Sequence, residues 1–371
     1  MLEGTRRRVR VFLVILGLVS ASAIVFGGVA GIAYFPEQPL RGAAFGALAT
    51  VLQGIAITLV IVGAEIFLPR TRVGLALERA PFLVTLSIKS IVYSAVMILI
   101  VGSKLGRWVA AYALVGPEAA HLALQPGALP VAVSISVAFL VMFVAIILVQ
   151  LTGLIGGSTL RNIALGRYHR SRIEERFFLF IDIVGSTPLA EKIGPALVHS
   201  FLNRVFEVAS DPIDNHGGDV YQYVGDEVVI TWTLAEGRQD ARPIACFFAV
   251  KRALDSAAKD FEQEFGAMPQ LRAALHAGPV ITGEVGGSRR AIVFHGDVMN
   301  TTSRIENATR DLKRSFLVSE DALNRVEGKE SYLFADLGPQ QLRGREAPVR
   351  VYAADLAAKL PEAGARQKLH E

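Results

Sequence analysis

Cysteine is nearly absent from this sequence, and acidic residues are scarce in its first part. Cys246 is the one cysteine among 371 residues, which excludes an intrachain disulfide. Residues 1–170 contain 14 Lys and Arg against 5 Asp and Glu, whereas residues 171–371 contain 24 against 29. The positive charge therefore surrounds apolar runs, which is typical of membrane-flanking arginines and not of a nucleic-acid surface. We expect no nucleic-acid partner.

The first 155 residues are too apolar for an ordinary soluble domain. Hydrophobic residues make up 52% of the sequence, and nearly all of the excess precedes about residue 156. Four stretches exceed the roughly 18–20 residues that a helix needs to cross a bilayer. The pattern predicts a transmembrane domain over residues 1–155 in contact with membrane lipid, with four helices at about 11–35, 44–68, 82–102 and 131–155.

Basic residues in the loops indicate how these spans are oriented. The arginine clusters at 6–10, 70–79 and 161–170 fall on one side, which the positive-inside rule makes cytoplasmic. We expect a multi-pass protein of the inner (plasma) membrane, with its N-terminus and its second half in the cytoplasm. Glu65 and Lys89 lie inside predicted spans near their cytoplasmic ends. Snorkelling or mutual pairing is a simpler explanation of these two charges than a sensing role.

Residues 156–176 form a polar, basic linker for which two interpretations stay open. It is either a solvated exit from the membrane or a coupling element that passes movement of the spans to the following domain.

From residue 177 the pattern changes to alternating strands and helices, with a second domain over 177–357 and a tail over 358–371. The predicted strands are 176–183, the two halves of a hairpin at 219–232, 270–277, 280–285, 316–319 and 349–353, and the predicted helices are 188–216, 238–265 and 296–309. This order predicts an α+β domain of ferredoxin-like βαββαβ type.

This topology predicts that two acidic residues lie close together. Asp182 ends the first strand, and Asp226 lies in the hairpin turn after Gly225, which suits the positive φ of a type II′ turn. Both carboxylates are expected at one sheet edge, where they suit two divalent metal ions, Mg²⁺ or Mn²⁺.

The residues after Asp182 form a small-residue turn into a helix. Backbone N–H groups at such a turn can hold phosphate oxygens, which beside a metal pair indicates nucleoside triphosphate chemistry. The residues of this turn are Ile183, Val184, Gly185, Ser186 and Thr187.

Further along, Asn300 and Arg304 are four residues apart on one helix face, where an amide and a guanidinium suit a sugar oxygen and a phosphate. From spacing alone, an exposed polar helix face is the better interpretation of that pair.

Four motifs in order decide between these interpretations. The stretches FLFIDIVGST, YVGDE, HGDVMNTTSR and QLRGREAPVRVY resemble the catalytic domain of class III nucleotidyl cyclases, from residue 177 to about 355. The resemblance implies that Asp182 and Asp226 bind the metals, with the Ile183 carbonyl and the following amides near metal and triphosphate. It also implies that Asn300 orients the ribose, that Arg304 stabilises the transition state, and that Arg343 stands where the family usually has a phosphate-binding lysine.

The implied activity is that of a membrane-anchored adenylate cyclase in intracellular signalling. The ribose 3′-oxygen of ATP attacks the α-phosphorus, and cyclic AMP and pyrophosphate form without a covalent enzyme intermediate. In the family the metal residues come from one chain and the Asn300 and Arg304 equivalents from another. A chain with one such domain therefore implies a homodimer with composite active sites.

Base selection departs from the family pattern at two positions. Adenylate-specific members usually have Lys at the position of Gln222 and Asp or Thr at that of Val293, and guanylate-specific members usually have Glu at the first. The Gln222 amide can donate or accept, whereas Val293 can do neither. A guanylate or relaxed-specificity cyclase therefore stays open, as does a catalytically silent cyclase fold acting as a membrane receptor.

Overall fold

A computed structural model of the chain describes residues 37–67, 80–102 and 166–357 apart from 288–290, together with 20–32 apart from 30 and scattered single positions. The chain divides between Ile155 and Gly156 into two compact units.

The first unit contains two long apolar helices, α1 (Pro39–Phe67) and α2 (Phe82–Gly102). Among the described residues one helical stretch, Pro39–Ile61, is both long and apolar enough to cross a membrane, and Ser20–Val29 and Val84–Ile100 are shorter apolar helices. The structure therefore supports one of the four predicted spans.

The structure gives different outcomes for the other three predicted spans. The stretch at 82–102 is helical, as expected, and within it Val84–Ile100 is described as a shorter apolar helix. The stretches at 11–35 and 131–155 lie largely outside the described residues, so these two spans stay predictions.

Small residues bring the Ser20–Val29 helix close to α1. A Cβ atom placed on Gly46 would lie 1.9 Å from the Gly27 carbonyl oxygen, so neither helix tolerates a larger residue there. The Thr50 hydroxyl donates to the Ala23 carbonyl across the same interface at 2.7 Å. This is the small-residue packing that membrane helices use in place of a hydrophobic driving force.

The second unit is a mixed α+β domain, as predicted. Its described strands are β1 (Arg172–Ile183), β2 (Asp219–Val224), β3 (Glu227–Thr233), β4 (Leu271–Val285), β5 (Ala291–His295), β6 (Phe316–Ser319), β7 (Tyr332–Gln340) and β8 (Val349–Leu356). Its described α-helices are α3 (Ser186–Ile193), α4 (Pro195–Asn215), α5 (Leu234–Gly237), α6 (Arg242–Ser256), α7 (Ala258–Phe265), α8 (Asp297–Asp311) and α9 (Glu320–Leu323).

The described strands form one sheet in the order β2-β3-β1-β4-β6-β8-β7, and β5 pairs with the far end of β4. The first four strands and the helices between them follow the predicted strand–helix–strand–strand–helix–strand sequence. β1 lies between β3 and β4 and is antiparallel to both. Its final residues therefore lie beside the turn that joins β2 to β3.

Several predicted boundaries differ from the structure. The helix expected at 188–216 is two helices, because Pro195 lacks the N–H that an uninterrupted helix needs. The strands expected at 270–277 and 280–285 are one strand, since Gly278 and Pro279 both stay in register with β1. Strands β5 and β7 were not predicted.

Both faces of β1 are covered, which explains its unbroken apolar run. Phe177, Leu179 and Ile181 belong to a core cluster with residues of α4 and α6. Phe178 and Phe180 pack on the opposite face in a cluster that includes Val298 of α8. A strand buried on both faces has no exposed side for alternating polar residues, so Asp182, like Arg176, is a buried charge that the fold must accommodate.

Candidate active site

Asp182 lies near the end of the central strand between two charged neighbours. Its Cα is in register with Glu227 on β3 and with Arg272 on β4. Only 7% of the residue is exposed, so its carboxylate needs a counter-charge. Arg272 supplies it, because Nη2 of Arg272 donates to Asp182 Oδ2 over 2.6 Å. Arg310 on α8 is a more distant cation, with its Nη2 at 3.9 Å from the same oxygen.

Asp226 is presented by a two-residue turn between β2 and β3. Val224 and Glu227 pair across this turn. Gly225 has a φ of +64°, whereas Asp226 is not among the residues with positive φ. That combination agrees with the predicted type II′ turn, in which glycine takes the first central position. The Ser186 hydroxyl donates a hydrogen bond to Asp226 Oδ2, so the turn after β1 is tied to the hairpin.

Four carboxylates influence one another at this edge, and we call Asp182, Asp226, Glu227 and Glu306 the carboxylate cluster. Burial raises the pKa of Asp182, and the charge of Asp226 acts in the same direction against the opposing effect of Arg272. Burial raises the pKa of Glu227 to about 7, with further contributions from Glu306, Asp182 and Asp226. Burial and the charge of Asp182 also raise the pKa of Glu306. When ionised, these four carboxylates outnumber the two arginines near them, Arg272 and Arg310.

The carboxylate cluster fits a divalent cation. Mutual repulsion among carboxylates favours a positive charge between them. Mg²⁺ is commonly held by one or two carboxylates together with water and substrate phosphates. In the described part of the chain no three His, Cys, Asp or Glu side chains are placed to hold one metal ion together, so Asp182 and Asp226 would share the ion with phosphates and water. The Ile183 side chain is buried in the core, which leaves its carbonyl as the group that a metal could use.

The turn after β1 offers fewer free N–H groups than expected. The Val184 N–H donates to the Gln270 carbonyl at 2.8 Å, so it is not available to a phosphate, which corrects the expectation for this residue. Gly185 has a φ of +75° and immediately precedes α3, a backbone conformation that suits glycine. The first N–H groups of a helix have no acceptor within it. Ser186 and Thr187 therefore remain as donors at the positive end of α3.

A second group of predicted residues lies on α8 and on the turn before β8. Asn300 is exposed on α8. One helical turn further, Nη1 of Arg304 donates to the Gly344 carbonyl at 3.3 Å. Gly344 follows Arg343, which is exposed and has no hydrogen bond or ion pair with other described residues. The structure therefore brings Arg304 beside the turn that carries Arg343, with Asn300 on the same helix face.

Arg345 fixes this turn to α8. Its Nη1 donates to Thr301 Oγ1 at 2.5 Å and lies 3.3 Å from Asp297 Oδ2. The two arginines of the LRGR stretch thus differ: Arg345 is engaged in holding the turn, whereas Arg343 is free to meet a ligand.

The two groups do not face each other within one chain. Glu306 points from α8 towards the carboxylate cluster, since its Oε1 lies 3.6 Å from Arg272 Nε. Successive residues of an α-helix are about 100° apart, which puts Arg304 about 200° and Asn300 about 240° around α8 from Glu306. Asn300 and Arg304 therefore point away from the carboxylates of their own chain.

The predicted base-contacting residues lie on β2 and β5. The register of β2 shifts between Val220 and Gln222, and the Tyr221 ring packs against Phe294 of β5 with 4.9 Å between ring centroids. β2 and β5 are therefore close in space although they do not pair in the sheet. Gln222 is exposed and Val293 is half-buried. Their role in base recognition stays a prediction.

Sequence reasoning missed Arg272, Arg310 and Glu306. Arg272 carries a signal, since it is a charged residue directly before the apolar run Ala273–Leu275 of β4. Glu306 carries a weaker signal, because it is a charged residue directly after the buried Ile305 of α8. Neither pattern identifies the partner of either residue, which depends on the register of β1 and β4 and on the packing of α8.

The sequence of this domain matches a known family. Residues 169–354 match the family model of the adenylate and guanylate cyclase catalytic domain. Adenylate cyclase 2 of Rhizobium meliloti (strain 1021) is 36% identical over 200 residues, which cover 54% of this chain and 55% of that protein. An adenylate cyclase of Mycobacterium tuberculosis (strain ATCC 25618 / H37Rv) is 28% identical over 185 residues, which cover 50% of this chain and 39% of that protein. The chain thus spans about half the length or less of these curated relatives.

Solved structures of lower identity are also similar. The adenylyl cyclase CyaB from P. aeruginosa gives a TM-score of 0.46 at 19% identity, covering 51% of this chain and 98% of that one. The guanylyl cyclase Cya2 gives a TM-score of 0.43 at 20% identity, covering 52% of this chain and 96% of that one.

Proposed function

This chain belongs to the adenylate and guanylate cyclase catalytic domain family, and from that premise we propose that it is a membrane-anchored adenylate cyclase. It converts ATP to 3′,5′-cyclic AMP and pyrophosphate for intracellular signalling. The observation that carries the proposal is the convergence of Asp182 and Asp226 in one carboxylate cluster beside the N-terminus of α3, where Ser186 bonds to Asp226. A cation site next to a phosphate-binding helix end is what triphosphate chemistry requires.

Each residue has a part in this reaction. Asp182, Asp226 and the Ile183 carbonyl would hold two divalent ions, which would supply the charge that neutralises the triphosphate and acidifies the ribose 3′-hydroxyl. Ser186 and Thr187 donate backbone N–H groups to triphosphate oxygens at the start of α3. The 3′-oxygen then forms its bond to the α-phosphorus as the bond to pyrophosphate breaks, and the hydroxyl proton passes to solvent water.

The remaining residues position the substrate and stabilise charge. Asn300 holds the ribose, and Arg304 neutralises the charge that grows on the α-phosphate in the transition state. Arg343 binds phosphate with its exposed guanidinium, a geometry that suits bidentate contact. Gln222 contacts the base.

The active unit is a homodimer with two composite sites. Asn300 and Arg304 point away from the carboxylates of their own chain, so a second copy has to supply them to each carboxylate cluster. An isologous pair provides two equivalent sites from one kind of chain.

The first 155 residues anchor the enzyme in the inner membrane. The helix Pro39–Ile61 supports at least one crossing, and the arginine clusters at 6–10, 70–79 and 161–170 support a cytoplasmic N-terminus and catalytic domain. The four-span, multi-pass arrangement is part of this proposal.

A relaxed or guanylate specificity is the second candidate. Gln222 is exposed, and its amide is able to donate or accept, while Val293 offers no polar group. These two residues do not exclude guanine.

Product identification tests the proposal. Purified full-length protein is given equal ATP and GTP with Mn²⁺, and the cyclic nucleotides are separated by chromatography. We expect cyclic AMP as the main product, its loss by more than 100-fold in Asp226→Asn, and normal activity in Asp255→Asn, a matched change at an exposed ion pair on α6. Mainly cyclic GMP would support the second candidate. No cyclic product, or full activity in Asp226→Asn, would overturn the proposal.

A further inference from the structure

Arg272 stands between two carboxylates that belong to different elements. Its Nη2 donates to Asp182 Oδ2 of β1 at 2.6 Å, and its Nε lies 3.6 Å from Glu306 Oε1 of α8. All three side chains are largely buried, with 15%, 10% and 6% exposed for Arg272, Asp182 and Glu306. The guanidinium is therefore confined to these two partners.

The contact with Glu306 is incomplete. Arg272 Nε and Glu306 Oε1 are both buried, and neither has a hydrogen-bond partner. The distance between them exceeds the usual N–H···O range by only about 0.4 Å. A small displacement of the guanidinium would satisfy both atoms, but in the present arrangement its shorter bond is to Asp182.

A divalent cation changes the balance between the two partners. An ion bound at Asp182 takes up negative charge of that carboxylate and repels the guanidinium at short range. Glu306 then remains as the nearby acceptor, and its unpaired oxygen faces the Arg272 Nε. The displacement that metal binding favours is therefore the one that completes the contact with α8.

We propose that Arg272 is a positioning residue that exchanges between two carboxylates: it pairs with Asp182 before a divalent cation binds and with Glu306 once the cation is bound. This inference rests on the proposed function in so far as it takes Asp182 to be a metal residue. Through Glu306 the exchange fixes α8, whose opposite face carries Asn300 and Arg304, when the metal binds. Metal binding at the carboxylates of one active site thereby orders the helix that contributes Asn300 and Arg304 to the other active site.

A double-mutant cycle on metal affinity tests the exchange. Mn²⁺ binding to the full-length protein is measured without nucleotide, at one pH, from the electron paramagnetic resonance signal of free Mn²⁺. Glu306→Gln removes the second partner, so Arg272 stays on Asp182 and we expect Mn²⁺ to bind about tenfold more weakly. In an Arg272→Gln background the competing cation is gone, so the same change should weaken binding less than twofold.

The control cycle pairs Glu306→Gln with Arg325→Gln. Arg325 forms its described ion pairs with Glu175 and Asp321, neither of which belongs to the carboxylate cluster. We expect these two changes to be additive. Arg272→Lys, which keeps a cation at the position, serves if Arg272→Gln does not fold, and it should preserve the large effect of Glu306→Gln.

A second measurement reports on α8 directly. Mn²⁺ should slow amide hydrogen exchange in α8 of the wild type but not of Glu306→Gln. Equal effects of Glu306→Gln with and without Arg272, or the same slowing in both proteins, would overturn the exchange. The failure of this exchange can be told apart from failure of the proposed function. If the wild type makes cyclic nucleotide but the double-mutant cycle is additive, the exchange alone is rejected. If the cycle is non-additive but no cyclic product forms, the proposed activity alone is rejected.

Discussion

The Ser186 hydroxyl donates a hydrogen bond to the Asp226 carboxylate, which joins the first residue of α3 to the β2–β3 turn. The two residues are 40 apart in the sequence and lie in different structural elements. This bond holds a proposed metal ligand against the proposed phosphate-binding turn, so the position of one depends on the other.

Removal of that hydroxyl should therefore slow the reaction without abolishing it. In Ser186→Ala the carboxylate of Asp226 loses one neutral donor, and we expect kcat to fall about tenfold, which is about 1.4 kcal/mol of transition-state stabilisation. The measurement is steady-state cyclic AMP formation at several Mn²⁺ concentrations. Ser200→Ala, at a hydroxyl bonded within α4, is the matched control, and equal activity in both variants would contradict this role.

Composite sites predict rescue between inactive chains. Asp182→Ala and Arg304→Ala should each be inactive alone, because every site of either homodimer lacks one essential group. A mixed dimer contains one site with both groups intact, so co-purified heterodimers should recover up to about half of the wild-type activity per dimer. The chains are isolated through two different affinity tags. Inactive heterodimers would indicate that each site is built within one chain.

His276 predicts a pH-dependent stability that is unrelated to catalysis. It is buried on β4, with its Nδ1 2.7 Å from Ser319 Oγ, and burial lowers its pKa to about 4. Because this folded-state pKa lies below the ordinary value of 6.5, the unfolded chain takes up the proton first as the pH falls. The contribution of neutral His276 is complete above about pH 6.5 and is lost towards pH 4, with about 2 kcal/mol gone by pH 5.

His276→Gln should remove this part of the pH dependence. Urea unfolding of wild type and variant is compared at pH 7.5 and 5, and the difference between the two pH values is expected to shrink in the variant. His199→Gln changes an exposed histidine of α4 and should behave as wild type. An unchanged pH difference in His276→Gln would mean that another group is responsible.

Base preference should respond to Gln222. A lysine at this position donates to adenine N1 and opposes the N1–H of guanine, so Gln222→Lys should raise the ratio of ATP to GTP turnover about tenfold. The ratio is measured as kcat/KM for each nucleotide. Gln222→Glu should shift it in the opposite direction, and unchanged ratios in both variants would exclude this side chain from base recognition.

Much of the site was predictable because its residues lie in short, continuous motifs. Asp182 follows the apolar run 177–181 within β1. Asp226 follows a turn glycine, and Asn300 and Arg304 share a helix face by spacing alone. The sheet edges were less predictable. β5 and β7 are short or partly polar strands that form through pairing with β4 and β8, and pairing of this kind leaves little local signal.

The sequence by itself determined which chemical groups are present, the alternation that forms the βαββαβ core, and the apolar first part of the chain. The tertiary structure decided which groups meet. Asp182 and Arg272 are 90 residues apart, and their contact depends on the register of β1 against β4, while Glu306 joins them only because α8 packs across that sheet. Partners of buried charges are set by such long-range geometry, since a charge removed from water binds whatever opposite charge the fold places within reach.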